Sequence, residues 1–150
     1  MTYEARRVEA VAQPIAAVRR STTRAELGKT IIGGFDVLWP FLRASAARTG
    51  RNVVIYRQGV TDIEIGVEIF ADLAPSGEVF IAATPAGAAV TAVHFGDYAE
   101  MQGAYQAIEQ WCADAGRRTG PSWEVYGHWE DDPAKRRTDI FFLLGDCRQR

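Results

Sequence analysis

The sequence predicts an α+β fold in which two tandem strand-helix-strand-strand modules form an antiparallel sheet with two helices on one face. Three observations carry that expectation. Two segments show helical apolar spacing, each opened by a capping signature, Thr23-Arg24-Ala25-Glu26 and Asp97-Tyr98-Ala99-Glu100. Shorter runs with period-two alternation lie before and after each of them. The 150 residues, 47% hydrophobic and 24% charged, suit a single domain over residues 1–150.

The elements follow in order. Residues Arg7 to Arg19 alternate loosely around Pro14 and read as one bent or edge strand. Thr23 then caps a helix running to about Arg48, with Leu27, Ile31, Phe35, Leu38 and Leu42 on one stripe and Gly50 as its left-handed stop. Gly33-Gly34 and Pro40 weaken its middle, which predicts a kink or break near Gly34 or Trp39. Asn52 to Arg57 and Asp62 to Leu73 are strands joined through Gln58-Gly59. In the second, Ile63, Ile65, Val67 and Ile69 face one way; Asp62, Glu64, Gly66 and Glu68 form a face that is either wet or turned to a ligand. Val79 to Thr84 and Ala88 to Phe95 complete a meander. A second helix, with Met101, Tyr105, Ile108 and Cys112 on its stripe, starts at the Asp97 cap and stops at Gly116. Two last strands occupy about Ser122 to Trp129 and Arg137 to Leu144, and residues after Gly145, Cys147 among them, form a frayed tail.

Composition excludes several functions. Seventeen Lys plus Arg against nineteen Asp plus Glu give a net charge of -2, which lacks the basic footprint of a nucleic-acid binder. No apolar run approaches the roughly 20 residues that span a bilayer, and Met1-Thr2-Tyr3-Glu4 opens no signal pattern, so a cytoplasmic protein is expected. Cys112, Cys147, His94 and His128 stand at no metal or redox spacing; neither a metal nor a cofactor is expected.

Ser122 to Trp129 is the densest cluster of functional side chains. Strand periodicity puts Trp123, Val125 and Trp129 on one face and Glu124, Tyr126 and His128 on the other. An acid between an aromatic and an imidazole ring suits a cation held by charge and ring faces together.

The run His94-Phe95-Gly96-Asp97-Tyr98, the helix ending in Ile108-Glu109-Gln110-Trp111, then Gly116, Gly120-Pro121, Trp123-Glu124-Val125-Tyr126, Pro133 and Thr138-Asp139-Ile140 together resemble the GyrI-like superfamily. That group includes the effector-binding domains of AraC-type and MerR-type multidrug regulators. The resemblance implies a ligand cleft between the two modules with Glu124 at its floor and aromatic walls, for which Tyr126, Tyr98, Tyr56, Trp39 and Phe35 are candidates, with His128 beside them. It implies bulky, planar or cationic organic ligands. All 150 residues are taken up by this one domain, so direct operator binding is not expected.

Three functions follow from the resemblance. The first is a stand-alone protein that captures small molecules by apolar burial, with the carboxylate for orientation. The second is a hydrolase that opens strained cyclopropane rings of genotoxic compounds, with Glu124 as general base and Tyr126 or another pocket tyrosine as its donor partner. The third is a module that inhibits a protein partner such as DNA gyrase, through an acidic face containing Glu64 and Glu68 or through Glu130-Asp131-Asp132.

Overall fold

The computed structural model describes residues 2–147 of the chain. It comprises eight strands and two α-helices: β1 (Arg6–Ala10), β2 (Pro14–Arg20), α1 (Leu27–Ala44), β3 (Thr49–Tyr56), β4 (Ile63–Ile69), β5 (Phe80–Ala83), β6 (Gly87–Phe95), α2 (Gln102–Ala115), β7 (Arg117–Tyr126) and β8 (Arg137–Cys147). They divide into two compact units, a central one of Ala12–Thr84 and a terminal one of Met1–Val11 with Pro85–Arg150.

The α+β class is as expected, with antiparallel pairing within each unit. The strand order is β3-β4-β2-β5 in the central unit and β1-β6-β8-β7 in the terminal one. Both are the same strand-helix-strand-strand module. Its first strand pairs with its last, the helix bridges the first strand to the third element, and one extra strand lies outside the first. Two expectations are corrected here. Residues 7–19 are two strands, because Pro14 lacks an amide donor and the chain leaves β1 at Ala10, so that β1 pairs with β6 and β2 with β4 and β5. The strands from β3 to β6 are not a meander, since β5 pairs with β2 instead of β4.

In the central unit α1 lies over Ile63, Ile65, Val67 and Ile69, which with Leu38 and Leu42 form its apolar cluster. The helix is continuous through Gly33-Gly34 and Pro40. At Gly34 helix and sheet approach too closely for a side chain, for a Cβ built there would stand 2.6 Å from Ile65 Cδ1. Thr23 Oγ1 accepts the Glu26 amide at 3.3 Å, one turn before the helix proper. The left-handed stop is Ala46, with φ 51°, not Gly50, which lies in β3 where a side chain would strike Glu68 and Phe70.

The glutamates of β4 do not form a wet face. Glu64 and Glu68 are only 2% and 6% exposed. Arg57 Nε donates to Glu64 at 2.6 Å with Arg19 beside it at 3.7 Å, and Arg51 holds Glu68 through its backbone amide at 2.8 Å and its guanidinium at 3.0 and 3.2 Å. These arginines supply the compensation that a buried carboxylate requires. Neither glutamate therefore offers an acidic surface to a partner.

In the terminal unit α2 buries Ala104, Ile108 and Cys112 against Val90, Ala92 and Ile140. Asp97 caps a separate 3-10 turn, Tyr98–Glu100, by accepting the Ala99 amide at 3.0 Å, and α2 starts after Met101. Gly116, at φ 65°, ends it as expected. Strand β8 runs on to Cys147, paired with Arg117, where a frayed tail was expected, because the long β7 offers it a partner.

Candidate functional site

Alternation along β7 places Ser122, Glu124 and Tyr126 on the face that α2 covers and Trp123 and Val125 on the other. Trp123 stacks on Phe141 at 5.0 Å between ring centroids. Glu124, 4% exposed, sits opposite Ile140 on β8. One of its carboxylate oxygens accepts the hydroxyl of Tyr105 from α2, and the other accepts the hydroxyl of Tyr126 from its own strand. A carboxylate taken out of water costs several kcal/mol unless bonded, and two hydroxyl donors favour its charged form. The result is a carboxyl group held in one orientation between two tyrosines.

Aromatic groups extend from the clamp. Tyr98, on the 3-10 turn, meets the Tyr126 ring edge-on at 5.4 Å, and Tyr105 meets Phe142 in the same way at 5.7 Å. Thr138 faces Tyr126 across the ladder, fully buried, and its hydroxyl has no hydrogen-bond partner among the described residues. On the neighbouring strand His94, 2% exposed, lies between Tyr3 and the 3-10 turn: its Nε2 is 2.9 Å from the Asp97 carbonyl and its Nδ1 2.7 Å from the Tyr3 hydroxyl. A carbonyl only accepts, so Nε2 carries the proton and the tyrosine donates to Nδ1.

Of the residues proposed from sequence, the terminal unit brings Glu124, Tyr126 and Tyr98 together. The expected place of His128 on the strand face of Glu124 and Tyr126 is corrected. Strand β7 ends at Tyr126, the Gly127 amide adds one last in-register bond to the Arg137 carbonyl, and the chain leaves the ladder after it, so that His128 is exposed on a loop. Trp129 likewise leaves the face of Trp123; it is 64% exposed, with Arg136 over its ring at 3.8 Å and Asp131 accepting its Nε1 at 3.2 Å. Phe35, Trp39 and Tyr56 belong to the central unit, where each packs against the apolar cluster, and Trp39 Nε1 donates to Asn52 at 3.1 Å. The periodicity of the second helix marks Tyr105 only as a stripe residue. The usable signal was its hydroxyl, which a tyrosine on a buried stripe must satisfy.

Elsewhere the Arg137 guanidinium is held above its ordinary pKa by the Asp139 hydrogen bond and then by its charge. No group of three or more His, Cys, Asp and Glu among the described residues could hold a metal ion. No helix among them is long and apolar enough to cross a membrane. The central unit has a shallow depression of about 750 Å³ lined by Gln13, Pro14, Ile69, Phe70, Leu73 and Ile81, none of them a residue proposed from sequence.

The model of the GyrI-like small molecule binding domain matches residues 3–144, and the chain belongs to that family. Among solved structures it is similar to the C-terminal domain of EcmrR, with a TM-score of 0.75 and 20% identity over 97% of this chain and 99% of that one. It is also similar to EcmrR in a complex with DNA, with a TM-score of 0.78 and 20% identity; there it covers 97% of itself and 59% of the EcmrR chain, so it spans about three-fifths of that regulator. A third likeness is to SAV2435 bound to tetraphenylphosphonium, with a TM-score of 0.55 and 10% identity over 96% and 94% of the two chains. At such identities the likeness is one of fold. A comparison with curated protein sequences finds no match.

Proposed function

We propose that this protein binds hydrophobic organic cations, with Glu124 as the charge that selects them and the tyrosines around it as the walls. The observation that carries the reading is the clamp itself. A glutamate on the covered face of a sheet is costly, and a fold that needed only stability would place an apolar residue there. Tyr105 and Tyr126 orient the carboxylate, while Tyr98 and Tyr126 add ring faces that attract positive charge. The related SAV2435 has been seen with tetraphenylphosphonium, a ligand of this class.

Titration with tetraphenylphosphonium and with the neutral triphenylphosphine oxide tests the reading. The cation binds the native protein more tightly, and Glu124→Gln removes that preference by about tenfold or more, as loss of a charge-assisted contact of roughly 1.5–3 kcal/mol requires. Equal affinity for the two compounds in the native protein would leave an apolar site with no part for the carboxylate.

A second reading shares the site. A carboxylate held by two tyrosine hydroxyls in an apolar setting also has the makings of a general base with a proton donor beside it. Incubation with a cyclopropane-bearing electrophile, followed by mass spectrometry, separates the two: turnover lost in Glu124→Gln supports hydrolysis, and recovery of intact compound supports capture alone.

A further inference from the structure

We propose that Arg136 is a built-in occupant of the aromatic shelf beside the Glu124 site, which a ligand cation must displace, and that it sets how tightly cations bind. The inference rests on the cation-binding reading above and adds to it the residue that opposes binding. Arg136 is half-buried, with its guanidinium carbon 3.8 Å from the Trp129 ring centroid and 5.9 Å from that of Tyr98. Tyr98 is the ring that meets Tyr126, and Tyr126 bonds Glu124. One guanidinium thus reaches both outer rings of a series that leads to the buried carboxylate.

Its polar contacts mark it as a plug. Arg136 Nε donates to the Glu130 carbonyl at 2.9 Å, and among the described residues the guanidinium forms no ion pair with a carboxylate. A half-buried arginine stabilised by ring faces and one carbonyl is held more weakly than one in a bidentate salt bridge. Its backbone is fixed independently, since the Gly96 amide donates to the Arg136 carbonyl at 2.9 Å and the Arg136 amide to that of Pro133 at 3.1 Å. The side chain can therefore swing away while the loop keeps its shape. Trp129 is anchored by Asp131 and stays as the shelf that an arriving cation inherits. Planar or aryl-substituted cations gain most, because they cover the ring area that the guanidinium gives up.

The test compares tetraphenylphosphonium binding to the native chain, Arg136→Gln, Lys135→Gln, Trp129→Leu and the double variant of Arg136 and Trp129, with Glu124→Gln alongside and thermal melts to confirm folding. Lys135 is an exposed neighbour, so its substitution removes the same charge without touching a ring. Arg136→Gln is expected to tighten cation binding by about fivefold or more and leave triphenylphosphine oxide unchanged, Lys135→Gln to change little, and the gain to vanish in the Trp129→Leu background. An equal gain in both charge variants, or none in Arg136→Gln, overturns the displacement role while leaving the Glu124 reading intact if Glu124→Gln still loses the cation. Absence of cation binding in every variant overturns both.

Discussion

Glu124 occupies in the terminal unit the place that Val54 occupies in the central one. Each lies opposite an isoleucine of the following strand, Ile140 or Ile65, two residues before the tyrosine that ends its own strand, Tyr126 or Tyr56. The helices correspond as well. Gly34, Leu38 and Leu42 are buried on α1 at the spacing that Ala104, Ile108 and Cys112 show on α2, which sets Phe35 against Tyr105. One module thus has valine and phenylalanine where the other has a carboxylate and the hydroxyl that bonds it. An apolar pair is the cheaper way to fill a helix-sheet interface, and this contrast between the modules is what supports the proposal made for Glu124.

The tyrosine clamp should behave as a coupled unit. Tyr105→Phe and Tyr126→Phe are each expected to cost about 1–3 kcal/mol, because each removes a donor from a buried acid. Chemical denaturation of the two single variants and the double variant checks this; strict additivity would show that the hydroxyls do not share one acceptor.

Neighbouring glycines of α1 should respond oppositely to alanine. Gly33 has nothing within 4 Å of a built Cβ, so Gly33→Ala gains roughly 0.5–1 kcal/mol from helix propensity. Gly34→Ala drives a methyl into Ile65 and should lose about 1–3 kcal/mol. Melting temperatures that move in the same direction would contradict the helix-sheet approach described above.

Two salt bridges differ in worth. Arg57→Leu leaves Glu64 buried with only the more distant Arg19, and a loss of about 3 kcal/mol is expected. Arg7→Ala, whose pairing with Glu9 is 3.8 Å long and exposed at both ends, should change stability by less than about 0.5 kcal/mol. Urea unfolding of the two variants gives the comparison directly.

His94 should be found protonated on Nε2 whenever it is neutral. Nitrogen chemical shifts of the imidazole report the tautomer, and Tyr3→Phe should shift the Nδ1 signal most, since Tyr3 is its hydrogen-bond donor. A proton found on Nδ1 in the native chain would reverse the donor and acceptor roles assigned to this buried ring.

Much of this was legible in the sequence. The helix stripes of Leu38-Leu42 and Ile108-Cys112, the stop at Gly116, the alternation of β4 and the facing of Glu124 with Tyr126 follow from local periodicity and capping, which depend on residues a few positions apart. The same local rules end where the chain turns. The strand period does not extend to His128 and Trp129, because the chain leaves the ladder once Gly127 has bonded Arg137. Which strands pair was not local either, and so Arg7 to Arg19 split into strands of different units. Only the folded structure brings Tyr105 to Glu124 from nineteen residues away, gives Glu64 and Glu68 their arginines, and sets Gly34 against Ile65. Periodicity tells which side of an element a residue faces, but the partner on that side is chosen by packing between elements far apart in the chain.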